Sequence, residues 1–172
     1  MIALPPFESF SKYTQKELAA HKKKVYSVDW NFSGSKLASA SADSTIRVFP
    51  LESAGFDKSQ ELKGHTDVVD QISFHPENDN IFGSASSDKT FRIWDLRASK
   101  SNVRTEKTKD GNLNLAWSPD GNVLAVANKQ NIITFFDYRM GSIFKMLKFD
   151  VEVNEIAYEP TGSLLMVTTG VE

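Results

Sequence analysis

The feature that most constrains the fold is a segment that recurs four times along the chain. Each copy alternates apolar with small or polar residues and ends on an aromatic side chain, and these closing residues are Trp30, Phe74, Trp117 and Tyr158. They are separated by 44, 43 and 41 residues. A period of about 40–45 residues is typical of four-stranded sheets that stack as blades around an axis. The repeat therefore predicts an all-β propeller architecture.

The residues between the closing aromatics predict the other strands of each blade. The segment after each closing aromatic residue contains proline or glycine, which favour the backbone dihedral angles of tight turns. The second strands that follow are almost continuously apolar or small, which predicts burial on both faces between neighbouring blades; they are residues 36–40, 81–85, 123–127 and 164–168. Third strands are predicted at 45–49, 90–94 and 132–136, and polar, exposed fourth strands at 60–63, 103–107 and 142–148. No sustained 3.6-residue apolar period is present, so helices should be scarce.

A second pattern places the same polar residues at matching positions of the repeats. The second repeat contains Gly64-His65, Ser84, Asp88 and Trp94-Asp95. This set resembles the glycine–histidine and tryptophan–aspartate signatures of the WD-repeat family. The resemblance implies a hydrogen-bonded tetrad of histidine, serine, aspartate and tryptophan that ties three strands of a blade together. A buried imidazole and a buried indole N–H both need such partners.

The tetrad pattern weakens in the other repeats. The first repeat has His21, Ser39 and Asp43, but Phe49 stands at the tryptophan position and cannot donate a hydrogen bond. The third repeat has lost the pattern, with Gln130 and Phe136 at the aspartate and tryptophan positions. The signature is therefore complete in one repeat, partial in another and absent in a third, although the spacing persists.

The repeats divide the chain into a short tail and a partial propeller. We predict a tail at residues 1–12 and a propeller at 13–172, with repeats at about 21–63, 64–107 and 108–150 and a partial one at 151–172. The resemblance implies a ring of seven blades, which at this period needs roughly 300 residues. We therefore expect about three and a half blades, a fragment or truncated product whose apolar blade faces are exposed and whose solubility is marginal. Residues 13–20 are predicted to form an extra strand that closes such a ring.

Composition excludes several classes of function. The 20 basic and 22 acidic residues give a net charge of −2, so no global field attracts nucleic acid. The chain has no cysteine, which rules out disulfides, thiol nucleophiles and cysteine-ligated zinc. No run approaches the roughly 18 apolar residues of a membrane span, and residues 1–6 lack the features of a secretory signal.

Catalysis is not predicted. Only three histidines are present, of which His21 and His65 belong to the tetrad pattern and His75 lies in a histidine–proline turn. No glycine-rich phosphate loop, paired-carboxylate motif or nucleophile elbow is present. Asp43 and Asp88 occupy matched places in the repeat, which indicates a structural role for both. We expect neither enzyme activity nor a cofactor or metal ion.

A narrower resemblance is to the WD-repeat subunits of the THO complex, and it extends from about residue 21 to 169. It is carried by residues 64–71, 75–76, 112–121 and 148–156. This resemblance implies a nuclear scaffold subunit, within the transcription–export assembly, that couples messenger RNA packaging to export. Its partners would be other protein subunits, its contact with RNA would be indirect, and it would have no membrane or small-molecule partner.

Two other functions compete with this interpretation. Asp95-x-Arg97 and Asp137-x-Arg139 resemble the motif with which WD-repeat substrate receptors dock the adaptor of a cullin-4 ubiquitin ligase. The simpler interpretation is that the aspartates cap turns while the arginines lie in solvent. Lys22, Lys23 and Lys24 could contact RNA phosphates. A solvated loop is favoured, because Tyr26 and Trp30 beside it are expected in the core rather than on the surface.

The surface for partner proteins should lie on loops that the rigid strands hold in place. Candidates on one set of loops are Lys22, Lys23, Lys24, Asp67 and Asp70. Arg47 and Arg92 occupy equivalent positions in two third strands and are further candidates, although their aliphatic stems could instead pack across the blade edge. Arg97 and Arg139 complete the predicted set.

Overall fold

The computed structural model describes residues 17–51 and 58–170. In these ranges the chain contains strands, turns and bends and no helix. The strands are β1 (Val25–Trp30), β2 (Lys36–Ser41), β3 (Ile46–Pro50), β4 (Gln60–Leu62), β5 (Val69–Phe74), β6 (Ile81–Ser86), β7 (Thr90–Asp95), β8 (Asn102–Lys107), β9 (Asn112–Trp117), β10 (Val123–Asn128), β11 (Ile132–Asp137), β12 (Ser142–Lys148), β13 (Val153–Tyr158) and β14 (Leu165–Thr169). The predicted all-β class is confirmed.

The strands form three four-stranded antiparallel sheets and one two-stranded sheet, each in chain order. We call them blade 1 (β1–β4), blade 2 (β5–β8), blade 3 (β9–β12) and the half-blade (β13–β14). The same backbone details recur in each blade. The register between the first two strands shifts at one end of every sheet. The turn between the second and third strands carries one residue with positive φ, which is Ser44, Lys89 or Asn131. The sequence repeat is thus also a repeat of backbone geometry.

The hydrophobic core lies between the blades. Its first cluster joins Ala38 and Ala40 of blade 1 to Ile72 and Phe74 of blade 2. The second cluster joins blade 2 to blade 3, and the third joins blade 3 to the half-blade. The first strands β1, β5, β9 and β13 lie side by side as the innermost strands. Each blade therefore depends on its neighbours for stability, as in other repeat architectures.

Some predicted features are corrected by the structure. The second strands of the three complete blades are buried, but β14 is largely exposed because no described blade follows it. Tyr26 and Trp30 are 52% and 47% exposed and so do not belong to the core. Residues 17–20 of the predicted ring-closing segment form no strand, and its remaining residues, 13–16, lie outside the described ranges together with the predicted tail.

Candidate functional site

The predicted polar residues of blade 2 form one hydrogen-bonded chain. The Trp94 indole N–H donates to Ser84 Oγ at 2.8 Å, and the Ser84 hydroxyl lies 2.7 Å from His65 Nε2. His65 Nδ1 lies 2.8 Å from Asp88 Oδ2. The Trp94 indole donates to the Ser84 hydroxyl, and that hydroxyl donates to His65 Nε2. The ring proton of His65 is therefore on Nδ1, which donates to the Asp88 carboxylate. A neutral imidazole therefore satisfies every member of the chain.

Asp88 anchors the loop that precedes blade 2 to the turn between β6 and β7. Its carboxylate also accepts from the Thr66 and Thr90 backbone N–H groups, at 3.1 and 2.9 Å, and from the Thr90 hydroxyl at 2.7 Å. Burial raises the pKa of this carboxyl, but the bonds from His65 and Thr90 outweigh that effect and hold the pKa well below its usual value. Asp88 is thus an ionised structural anchor.

Blade 1 repeats this network without the indole. His21 Nε2 lies 2.8 Å from Ser39 Oγ, and His21 Nδ1 lies 3.1 Å from Asp43 Oδ2. Asp43 also accepts from the backbone N–H groups of Lys22 and Thr45. Burial raises the pKa of Asp43, but the hydrogen bonds from Thr45 and Lys22 lower it further than burial raises it.

Blade 3 holds the corresponding turn with an amide. Asn128 Oδ1 accepts from the backbone N–H groups of Gln130 and Ile132, at 3.0 and 3.1 Å. Val126 lies opposite Leu115, where blade 2 has Ser84 opposite Ile72. An apolar residue thus replaces the central hydroxyl of the tetrad, and Phe136 replaces the indole. The turn is kept while the polar chain across the blade is lost.

Acidification should destabilise the fold through its buried histidines. Burial lowers the pKa of His65 more than its bond to Asp88 raises it, and burial also lowers the pKa of His75. The unfolded chain, with ordinary histidine pKa values of about 6.5, then binds more protons than the folded chain below that pH. The free energy of unfolding should therefore fall as the pH is lowered from about 7.5 to about 5.5, which urea titrations at several pH values would measure. A free energy of unfolding that stays constant or rises as the pH is lowered over this interval would contradict the assignment of a neutral His65 imidazole in the folded chain.

Polar side chains of the innermost strands reach across the blade interfaces, a feature that sequence analysis missed. Asp29 Oδ2 accepts from the Phe74 backbone N–H at 2.7 Å, and Gln71 Oε1 accepts from that of Leu115 at 2.6 Å. The Trp117 indole N–H donates to the Ser73 carbonyl at 3.0 Å. The first two bonds satisfy N–H groups on the free edge of an innermost strand. The sequence did contain a sign of these contacts, because polar residues such as Asp29 and Gln71 occupy alternate positions of the repeating strands.

His75 connects blades 2 and 3 at the opposite end of the strands from the tetrad. Its Nδ1 accepts from the Glu77 backbone N–H, so the ring Nε2–H donates to the Gly121 carbonyl, 3.1 Å away. The imidazole also packs against the rings of Trp117 and Tyr138, with centroids at 5.0 and 5.6 Å. Sequence analysis placed His75 only in a turn, whereas the structure shows an inter-blade contact.

The loops at the tetrad end carry one group of the predicted contact residues. Lys22, Lys23, Lys24 and Asp67 are exposed. Asp70 is partly buried and accepts from the Ser87 hydroxyl at 2.9 Å, and that hydroxyl in turn lies 3.1 Å from Lys129 Nζ of blade 3. Burial raises the pKa of Asp70. Four of these five residues are thus exposed, while Asp70 is linked through Ser87 to Lys129 of the next blade.

Arg47 and Arg92 lie against the blades rather than in solvent. The Arg47 guanidinium pairs with Glu61 at 3.0 Å, and its side chain is 23% exposed. The Arg92 side chain is 13% exposed, with Nε 3.4 Å from Thr90 Oγ1 and Nη2 4.0 Å from Asp88. Both arginines therefore contribute packing within their own blades.

Arg97 and Arg139 lie at the other end of the strands from the tetrad loops. Arg97 is held by Asp95 through two guanidinium bonds of 2.9 and 2.8 Å, and Asp95 also accepts the Arg97 backbone N–H. Asp137 caps its turn by accepting from the Met140 backbone N–H, and Arg139 is exposed. Both aspartates thus act as turn caps, as the simpler interpretation of these motifs requires.

The described residues offer neither a metal centre nor a membrane-spanning helix. Within residues 17–51 and 58–170, no three histidine, cysteine, aspartate or glutamate side chains are grouped so that they could hold a metal ion. In the same ranges no helix has the length and apolar character required to cross a membrane.

Comparison with known proteins agrees with the repeat geometry. Residues 12–49 and 56–95 match the model of the WD domain, G-beta repeat, and residues 87–150 match that of the anaphase-promoting complex subunit 4 WD40 domain. THO complex subunit 3 of Arabidopsis thaliana is 41% identical over 96% of this chain, which covers 52% of that protein. WD repeat-containing protein AAC3 of Dictyostelium discoideum is 29% identical over 92% of the chain, and Coronin-7 of Homo sapiens is 33% identical over 68%.

The chain spans about half of the first of these relatives and smaller shares of the others, 37% of AAC3 and 13% of Coronin-7. The matched models cover most of the three blades described above. The period, the tetrad geometry of blade 2 and these matches agree with one another. The chain belongs to the WD-repeat family, and its structure is a partial β-propeller.

Proposed function

We propose that this chain is a non-enzymatic scaffold subunit of a THO-type complex, which acts in the nucleus in the packaging and export of messenger RNA. The observation that carries the proposal is its 41% identity to THO complex subunit 3 over 96% of the chain. Its partners are other protein subunits of the transcription–export assembly, and its contact with RNA is indirect.

The geometry supports a scaffold because the loops extend from a rigid frame. The tetrad of blade 2 and the His21–Ser39–Asp43 network of blade 1 hold the loops before these blades, because Asp88 and Asp43 accept backbone N–H groups of those loops. Loops on such a frame can present partner-specific residues without reorganisation. Lys22, Lys23 and Lys24 are exposed on one of these loops, so we assign them the first role in subunit contact.

Affinity purification of the tagged chain from nuclear extract, followed by mass spectrometry, tests this function. Other THO subunits should be recovered, and ribonuclease treatment should not release them because the contact is between proteins. A K22E/K23E/K24E variant should reduce their recovery at least about tenfold, because charge reversal opposes a complementary partner surface. The matched control, K145E/K148E on the outermost strand β12, should leave recovery unchanged.

The ubiquitin-ligase alternative predicts a different result in the same experiment. Recovery of cullin-4 and its adaptor in place of THO subunits, lost in an R97A/R139A variant, would contradict the proposal. Release of all partners by ribonuclease would contradict the indirect role of RNA.

A further inference from the structure

The outer part of blade 3 lacks a long side chain that blades 1 and 2 both have. In strand register, Arg47 lies opposite Ser39 in blade 1, and Arg92 lies opposite Ser84 in blade 2. Both guanidinium groups lie against their own blades. Thr134 occupies the equivalent position in β11 of blade 3, and it is too short to fill the same volume. Space that an arginine fills in two blades is therefore open in the third.

The open space is a groove with a volume of about 340 Å³ along the outer strands of blade 3. We call it the outer groove, and its apolar walls are Ile132 of β11 together with Ile143 and Met146 of β12. Met146 lies opposite Thr134 in register, in the place that Glu61 takes opposite the arginine of blade 1. The ion pair of blade 1 is thus replaced in blade 3 by a threonine and a methionine.

Both blades that border the outer groove are complete. Blades 2 and 3 are four-stranded sheets that share one core cluster. A blade that precedes or follows the described ones would therefore not lie between them. Met146 is nevertheless 61% exposed and Ile143 is 36% exposed. Exposed apolar side chains that line a groove mark an interaction site.

The rim of the outer groove is basic. Lys107 at the end of β8 and Lys109 in the next loop both line the groove, and both are exposed. The acidic residues nearest to them in the sequence have other partners. Glu106 pairs with Arg104, and Asp110 accepts the backbone N–H of the residue that follows it. The two ammonium groups are therefore available to carboxylates of a ligand.

We propose that the outer groove binds a short segment of a partner protein in which one large apolar side chain stands between acidic residues. The apolar side chain packs on Ile143 and Met146, and the carboxylates pair with Lys107 and Lys109. The groove volume lies at the lower end of the roughly 300–1,000 Å³ of ligand pockets, which suits a side chain rather than a cofactor. Methionine adapts its shape to the apolar group that it meets.

The walls of the groove favour a protein segment over RNA as the occupant. A basic rim attracts either ligand, since both are anionic. The described residues that line the groove include no aromatic side chain on which a base could stack. The site is also separate from the Lys22–Lys24 loop, so this contact goes beyond the scaffold role proposed above.

Binding of the purified 172-residue chain to an array of synthetic peptides tests the site. Each peptide carries one varied residue with two acidic residues on either side. Peptides with leucine, methionine or phenylalanine at the varied position should bind. Serine there should weaken binding at least about tenfold, because it leaves the apolar walls exposed to water. Asparagine and glutamine in place of the acidic residues should also weaken binding, and added salt should weaken binding of the acidic leucine peptide.

A variant that fills the groove tests its location. Thr134→Arg combined with Met146→Glu recreates in blade 3 the arginine–glutamate pair of blade 1. It should weaken binding of the leucine peptide at least about tenfold, and circular dichroism would verify the fold. Met146→Asp is a second variant at an exposed position, and it should have a similar effect because it places a charge against the apolar anchor.

Reversal of the rim charges tests the electrostatic part of the proposal. A K107E/K109E variant should lose the acidic leucine peptide and bind a leucine peptide whose acidic residues are replaced by lysine. The matched control is K100E/K145E, since Lys100 lies at the other end of blade 2 and Lys145 on the opposite face of β12 from Met146. This control should bind the acidic peptide as the wild type does.

Three results would overturn the proposal. The first is that no acidic peptide with an apolar residue binds below about 1 mM. The second is binding that survives in a folded groove-filling variant. The third is binding of a single-stranded oligouridylate in place of the peptides, lost in K107E/K109E, which would assign the site to RNA. None of these measurements depends on membership of a THO-type complex.

Discussion

Replacement of Asp88 by alanine is expected to lower the free energy of unfolding by roughly 3–4 kcal/mol. The substitution removes the acceptor of His65 Nδ1–H, of the Thr66 and Thr90 backbone N–H groups and of the Thr90 hydroxyl. The side chain is only 3% exposed, so water cannot replace it in an unaltered structure. Urea denaturation followed by circular dichroism would measure the loss.

The control for this prediction is Asp150→Ala. Asp150 is exposed in the loop after β12, and its removal should change stability by no more than about 0.5 kcal/mol. Equal losses for the two variants would show that the Asp88 network does not stabilise blade 2.

Replacement of Gly121 by alanine should cost about 3 kcal/mol or more. Gly121 has φ of +69°, a conformation that costs an L-residue about 1–2 kcal/mol. An added Cβ would also overlap the His75 ring, which donates to the Gly121 carbonyl and packs on Trp117 and Tyr138. Either the turn or the imidazole must move, and the interface between blades 2 and 3 would loosen.

Gly34→Ala separates the two causes. Gly34 lies in the matching turn of blade 1 with φ of +68°, but no atom lies within 4 Å of its added Cβ. The free energy of unfolding of this variant should therefore fall only by the conformational cost of about 1–2 kcal/mol. If both variants lose the same stability in urea denaturation, the contact of His75 with Gly121 has no energetic role.

The repetition of the sequence is what made the fold predictable. The closing aromatics recur at nearly constant spacing, and each marks the end of an innermost strand that the structure places beside the next. Predicted and observed strands differ by a residue or so, mostly because the strand pairing continues into a polar residue past the apolar run, as at Ser41, Ser86 and Asn128. The polar fourth strands could be assigned because they have one side in solvent.

Single residues were less predictable where a contact crosses between blades. His75 has no counterpart in the other turns, and only the folded chain brings it to Gly121, 46 residues away. The exposure of Trp30 could not be inferred from its repeat position, since Phe74 and Trp117 at the same position are buried. Their burial depends on a preceding blade, and none of the described residues provides one for β1.

The same limit applies to the charged residues. Arg47 and Arg92 have equivalent repeat positions that suggested a shared surface, but both guanidinium groups turn to partners in their own blade. The Lys22–Lys24 loop is exposed, and its role in binding other subunits remains a prediction. Sequence similarity identifies the family, while the partner is proposed through a relative of which this chain covers about half.

The proposed membership of a THO-type complex is tested most directly by purifying the complex through another of its subunits. Another THO subunit would be immunopurified from nuclear extract that contains this chain, and the chain would be quantified in the eluate by mass spectrometry. We predict recovery in constant ratio to the other subunits, before and after ribonuclease treatment. Absence of the folded chain from the eluate, with its recovery instead on cullin-4 and its adaptor, would contradict the proposal.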